Sequence, residues 1–358
     1  MFALNNKKMD KNEFFSLLER VATAERVERG EWLALLSSLT AEEREALAVK
    51  AREISALNFG TGVFVRGLVE ISSYCKNNCF YCGLRCANKN ATRYRLAKEE
   101  ILDCCREGAA LGFNTFVLQG GEDPVQNDAF ITDVVAALHA EFPKKAITLS
   151  VGERGEDAYK AFRQAGAARY LLRHETRNDA HYTHLHPSTM SAEKRRECLY
   201  ALRRLGYQVG SGFMVGSPGQ VLENVVDDIL FLEELQPQMI GIGPFIPATG
   251  TPFENCPAGS AELTLLLLSL LRLRFPKALI PATTALSTLL PDGVERGILA
   301  GANVVMPNLS PECVRGKYSI YNNKKTSGSE SAQQLARLEE RLRAIGYYID
   351  YGRGDYPA

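Results

Sequence analysis

Three cysteines, Cys75, Cys79 and Cys82, stand within eight residues as C-x3-C-x2-C, directly after the apolar run 67–71. Thiols this close and this regular make metal binding the first chemistry to consider. A closed structural zinc site takes four ligands, usually as two C-x2-C pairs from different segments, and the chain has no second pair. A cubane iron-sulfur cluster also needs four iron ligands, so three thiolates leave one iron for a ligand that is not protein. Cys86 extends the pattern to C-x3-C-x2-C-x3-C and leaves open a four-cysteine cluster in an electron carrier or scaffold.

Such a loop needs a rigid frame, and 358 residues are enough to bury a large core. Eight short apolar, largely β-branched runs (67–71, 115–118, 146–150, 169–172, 208–215, 239–242, 279–282 and 303–306) alternate with helical stretches. That rhythm predicts parallel βα units, and eight of them match a (β/α)8 TIM-type barrel, typically about 250 residues long. Residues 10–60 read as helices: Asp10 with Glu13 and Thr40 with Glu43 form capping boxes, the first ahead of Phe14, Leu17, Leu18 and Val21 on one face. The expected organisation is an N-terminal helical segment over 1–62, the barrel over 63–312, and a C-terminal closing segment with a charged helix near 335–345 over 313–358. Residues 322–331 read as a polar stretch, and the last ten residues as loosely ordered.

The expected strand ends carry polar or small residues: the cysteine loop, Gln119-Gly-Gly-Glu122, Val151-Gly-Glu153, Arg173-His-Glu175, Gly216-Ser-Pro-Gly219 and Thr283-Thr284. In a barrel of this kind the chemistry sits where those ends converge.

The cysteine spacing, with aromatic Tyr81 ahead of the last cysteine, resembles the signature of the radical S-adenosylmethionine (SAM) superfamily, in which the open iron chelates SAM. Gly121 and Glu122 resemble that superfamily's glycine-rich segment after the second strand. Glu153, Glu175 and Arg195 are the further charged groups expected at SAM, Arg195 through bidentate binding of its carboxylate. Gly212-Phe-Met214-Val-Gly216 resembles the adenine-facing segment, but Gly219 stands where the pattern closes with Glu. Longer stretches, including 70–75, 118–124, 170–176, 241–247, 281–284 and 304–308, resemble the HydE family of [FeFe]-hydrogenase maturases, with biotin synthase and methylornithine synthase as relatives. The resemblance implies a [4Fe-4S] cluster on Cys75, Cys79 and Cys82, SAM as cofactor, and a substrate cavity lined by Thr283, Thr284, Met306, Tyr318 and Tyr321. It further implies a small, organometallic iron substrate, a low-potential electron donor and other hydrogenase maturases as partners. Only Cys313 lies beyond residue 256, so no accessory cluster is expected. A methylornithine-synthase-like mutase and a sulfur-inserting synthase stay open as alternatives.

With 42 basic and 42 acidic residues the chain has no footprint for nucleic acid or a membrane surface. Its polar start and lack of a spanning run, with nine cysteines in metal-like spacing, favour the cytoplasm. Four of the five histidines fall within 174–186, but they form neither H-E-x-x-H nor a good mononuclear pair and read as structural. Phosphate-loop and serine-elbow motifs are absent.

Overall fold

The computed structural model describes residues 10–37, 39–325 and 331–357; the polar start of the chain and residues 326–330 of the polar stretch lie outside them. Helices α1 (Lys11–Ala22), α2 (Arg29–Ser37) and α3 (Ala41–Phe59) come first. Asp10 accepts from the Glu13 N–H and Thr40 from the Glu43 N–H, and each glutamate reaches back to its cap. Phe14, Leu17, Leu18 and Val21 are buried together, as their helical spacing requires. The order continues β1 (Gly62–Val65), β2 (Gly67–Ser72), α4 (Lys98–Ala110), β3 (Thr115–Gly120), α5 (Asp128–Glu141), β4 (Ala146–Ser150), α6 (Glu156–Ala165), β5 (Ala167–Leu171), α7 (Asp179–Leu185), α8 (Ala192–Arg204) and β6 (Gln208–Ser211). Then follow β7 (Met214–Val215), α9 (Leu222–Leu235), β8 (Met239–Ile240), β9 (Gly243–Pro244), α10 (Ala261–Arg274), α11 (Thr284–Leu289), α12 (Gly293–Leu299), β10 (Val304–Val305), α13 (Glu312–Arg315), α14 (Leu335–Ala344) and β11 (Tyr348–Asp350).

Strands β2, β3, β4, β5, β6 and β8 form one parallel sheet in that order. Single parallel bridges carry it on: Met239 to Leu279, Pro281 to Val304, and Asn308 back to Leu68. The sheet thus returns to its first strand and closes as a (β/α)8 barrel. Its strands are apolar and largely buried, as covering helices outside and a filled interior demand.

The later strands depart from the expected runs. Residues 208–215 make two strands because Gly212, at φ 154°, turns the chain where any Cβ would strike the Gly241 carbonyl. The run 239–242 stops at Ile240 and pairing resumes at β9. The runs 279–282 and 303–306 shrink to bridges and the two-residue β10, with Pro281 lacking an N–H to donate and α11 beginning directly after Thr283. Strand β1 is an addition to the expected runs; it lies parallel between β10 and β11 in a three-stranded sheet that meets the barrel through β10.

The C-terminal tail corrects the expectation of loose order. Arg66 and Arg169 are buried at the N-terminal mouth of the barrel, where their guanidinium groups need acceptors. The tail supplies them: Arg169 Nη2 donates to the Arg353 carbonyl (2.9 Å) and pairs with Asp355 (2.7 Å), and Arg66 Nη2 donates to the Gly354 carbonyl (3.3 Å). Thr115 donates to the same Arg353 carbonyl (2.7 Å). The tail is the floor of the barrel.

Candidate functional site

The cysteine loop leaves the end of β2 and is tied by its backbone on three sides. Lys76 N–H donates to the Glu122 carbonyl after β3 (2.9 Å), Phe80 N–H to the Leu185 carbonyl of α7 (3.0 Å), and Gly83 N–H to the Ile320 carbonyl (2.9 Å). Gly121 is where this loop passes closest to β3: a Cβ there would lie 2.7 Å from the Cys75 Cβ and against the Tyr74 carbonyl. Gly83 is close-packed in the same way, its position abutting the Ser319 carbonyl.

Cys75, Cys79 and Cys82 are partly buried, whereas Cys86 is exposed. Burial raises all three thiol pKa values, that of Cys82 to about 12. As free thiols they would stay protonated, so a cation that displaces the proton is what would make thiolates of them. Cys79 lies within electrostatic reach of Arg195 and Glu175, so positive and negative groups stand beside the thiols. Among the described residues no three His, Cys, Asp or Glu side chains converge on a single metal ion. A four-iron cluster asks for something else, one thiolate on each of three separate irons, and this donor set fits it.

The other expected cofactor residues gather around the thiols. Arg195, on the buried face of α8, pairs through Nε with Glu153 (2.6 Å) and donates to the Arg173 carbonyl (3.2 Å). Burial opposes its charge, but Tyr182 and Glu153 drive its pKa further up, so it remains a cation. Glu175 follows β5 in a left-handed conformation (φ 66°) and pairs with Arg173 at 2.6 Å. Arg173 was not anticipated; its only sequence signal was a place beside Glu175 at a strand end. The Glu122 carboxylate faces sideways, accepting the Glu153 N–H (2.8 Å) and pairing with Lys76 (3.2 Å), so part of its capacity is already used. Met214 is buried with Leu185, Phe245 and Phe253, and Tyr81 packs on the same patch, an apolar surface able to face a planar base.

The expected substrate residues stand toward the C-terminal end of the chain, at α11 and beyond β10. Thr283 stands at the N-cap position of α11 without a side-chain capping bond, and its buried hydroxyl has no hydrogen-bond partner. Thr284 and Tyr321 are half-buried. Met306 borders a cavity of about 30 Å³ with Leu171, Met239, Arg66 and Thr148, the last two presenting unpartnered polar atoms. The Tyr318 hydroxyl is 3.4 Å from Gln119 Nε2, and Lys324 Nζ sits 5.5 Å from its ring centroid. Lys324 and Glu70 form a buried ion pair (2.6 Å) that Asn308 joins by donating to Glu70 (2.9 Å). Sequence alone had not singled out Lys324 and Glu70, since nothing local marks a lysine that will be buried.

The model of the Radical SAM superfamily matches residues 69–232. The chain is 44% identical over 307 residues to the "[FeFe] hydrogenase maturase subunit HydE" of Thermotoga maritima, covering 84% of this chain and 87% of that protein. It is 31% identical over 343 residues to 3-methylornithine synthase of Methanosarcina acetivorans, covering 95% of each. Among solved structures, that of methylornithine synthase (PylB) superposes with a TM-score of 0.83 at 28% identity, covering 95% of this chain and 98% of that one.

Proposed function

This chain belongs to the radical SAM superfamily, and on that premise we propose that it acts on a small substrate in its barrel lumen during [FeFe]-hydrogenase maturation. The family's cofactors are a [4Fe-4S] cluster and SAM, and the chain is a radical SAM enzyme. Cys75, Cys79 and Cys82 would hold the cluster, with exposed Cys86 outside it. When bound, the pair of cofactors supplies reductive cleavage of SAM to methionine and a 5'-deoxyadenosyl radical.

The chain's own residues do the rest. Arg195 and Arg173 offer cations to the SAM carboxylate, Glu175, Glu153 and Glu122 offer acceptors to its ammonium and ribose, Gly121 allows close approach, and Tyr81 with Met214 faces the adenine. The tail closes the floor of the lumen and keeps water from a reactive intermediate. Thr283, Thr284, Met306, Tyr318 and Tyr321 line the place where an organometallic iron substrate would sit. The reading also includes a low-potential electron donor, other hydrogenase maturases as partners, and the reducing cytoplasm as the compartment.

One observation carries this reading: three partly buried thiols on a loop tied to the barrel, with Cys79 within electrostatic reach of Arg195 and Glu175. Anaerobic reconstitution tests it. Cys75→Ala, Cys79→Ala and Cys82→Ala should each abolish 5'-deoxyadenosine formation, whereas Cys86→Ala retains it. Loss of the cluster in Cys86→Ala would move the protein to the electron-carrier class. Co-expression with an apo-hydrogenase and the remaining maturases should restore hydrogen evolution only when this chain is present; formation of methylornithine instead would favour the mutase reading.

A further inference from the structure

Tyr81 stands between two cysteines of the loop, and its hydroxyl is 3.1 Å from His186 Nε2. The other ring nitrogen, Nδ1, is 3.0 Å from the Tyr182 carbonyl oxygen, which can only accept. Nδ1 therefore carries a hydrogen. The ring is 1% exposed, and burial pushes its pKa down to about 3, so it is neutral and holds that hydrogen alone. It follows that Nε2 is an acceptor and that the Tyr81 O–H donates to it.

The ring that receives this bond cannot turn. Tyr182 stacks on it at 3.9 Å and 17°, while Tyr81 meets it edge-on at 5.3 Å and 88°. Tyr182 and His186 are four residues apart at the end of α7, so one helical turn presents both rings together. Tyr182 also lies within electrostatic reach of Arg195. The same segment touches the cysteine loop twice more, through the Leu185 carbonyl and through Met190, whose sulfur is 3.7 Å from Cys79 Sγ. A phenylalanine at 81 would fill the same ring volume without taking a hydroxyl out of water, so what the hydroxyl adds is direction.

We propose that His186 is a positioning residue: by accepting the Tyr81 hydroxyl it fixes the tyrosine ring as a wall beside the loop thiols against which SAM would lie, and its stack on Tyr182 links that wall to Arg195. The proposal rests on the radical SAM reading. His174 and His181, the other buried histidines of this cluster, bond elsewhere, to Asp228 and Ser211 and to Thr176 and the Pro218 carbonyl.

The test titrates SAM into the anaerobic, cluster-loaded protein and follows the electron paramagnetic resonance signal of the reduced cluster, with iron and sulfide measured in parallel. Tyr81→Phe and His186→Leu should keep their iron yet need roughly 5- to 50-fold more SAM, the effect of losing one partner of a buried hydrogen bond. The double variant should be no worse than the worse single one, because both remove the same bond. His186→Gln, whose amide oxygen can accept at the Nε2 position, should recover most of the affinity. Wild-type SAM response in His186→Leu, additive losses in the double variant, or no recovery in His186→Gln would each overturn the proposal. So would iron loss in His186→Leu, which would make the histidine a support of the loop's fold. A wild-type protein whose cluster signal ignores SAM would instead remove the radical SAM reading itself.

Discussion

Gly121→Ala adds one methyl group at the tightest contact between the barrel and the cysteine loop. The new Cβ would stand 2.7 Å from the Cys75 Cβ and 3.1 Å from its Cα, where ordinary contact begins near 3.4 Å. The Tyr74 carbonyl oxygen would lie closer still, so the obstacle is loop backbone, not the far end of a flexible side chain, and the loop must withdraw by more than about 0.7 Å or β3 must give way. Overpacking of this kind costs about 1 to 3 kcal/mol, which the fold can absorb. The site cannot, because a ligand constellation tolerates only about 0.5 Å of displacement. Gly120→Ala is the control: its Cβ would meet Ile71 Cγ1 at 3.1 Å and no loop backbone closer than 3.7 Å, so it needs only a few tenths of an ångström. After anaerobic reconstitution, Gly121→Ala should remain folded by circular dichroism but lose most of its iron and sulfide, while Gly120→Ala keeps both. Full iron content with an unchanged SAM response in Gly121→Ala would show that the loop is not held at this contact, and the reasoning would fail.

Lys324→Met should destabilise the protein by about 3 to 5 kcal/mol in urea unfolding, because it strands the Glu70 carboxylate in the core. Adding Glu70→Gln, which is neutral yet still able to accept from Asn308, should restore much of that loss, and a double variant as unstable as the single one would contradict it. For pH, His186 is held at about 3 by burial against an ordinary 6.5, so the unfolded chain protonates first. Its contribution is therefore full above the unfolded pKa and lost as pH falls from there toward 3; between pH 7 and pH 5.5 wild type should lose about 1 kcal/mol more than His186→Gln.

Much of the architecture was legible because it rests on local periodicity. The eight runs place the barrel strands, and the capping boxes place α1 and α3, since a cap depends on residues three apart. Where the reading failed, a distant contact decided. Gly212 breaks a continuous apolar run because Gly241 lies against it, and the tail over 351–357 is ordered because Arg66 and Arg169, far away in sequence, need its carbonyl oxygens. The histidines show the same limit: their spacing excluded a metal motif but could not show that His186 would find Tyr81 across about a hundred residues.

By itself, then, the sequence determined the chemistry available: three thiols at C-x3-C-x2-C, charged residues at strand ends, and the alternation that brings those ends to one face. Residue type and local spacing suffice for that, because ligand chemistry and helical or strand period act over a few residues. The tertiary structure alone decided how each group is used. It turned Glu122 toward Glu153 and Lys76, paired Glu175 with Arg173, buried Lys324 against Glu70, and set the proton of His186 by placing Nδ1 on a carbonyl oxygen. Charge state, tautomer and direction depend on which partner is within about 3 Å after burial, and the fold makes that choice whether the partner is a neighbour, as for Arg173 with Glu175, or far along the chain, as for Lys324 with Glu70.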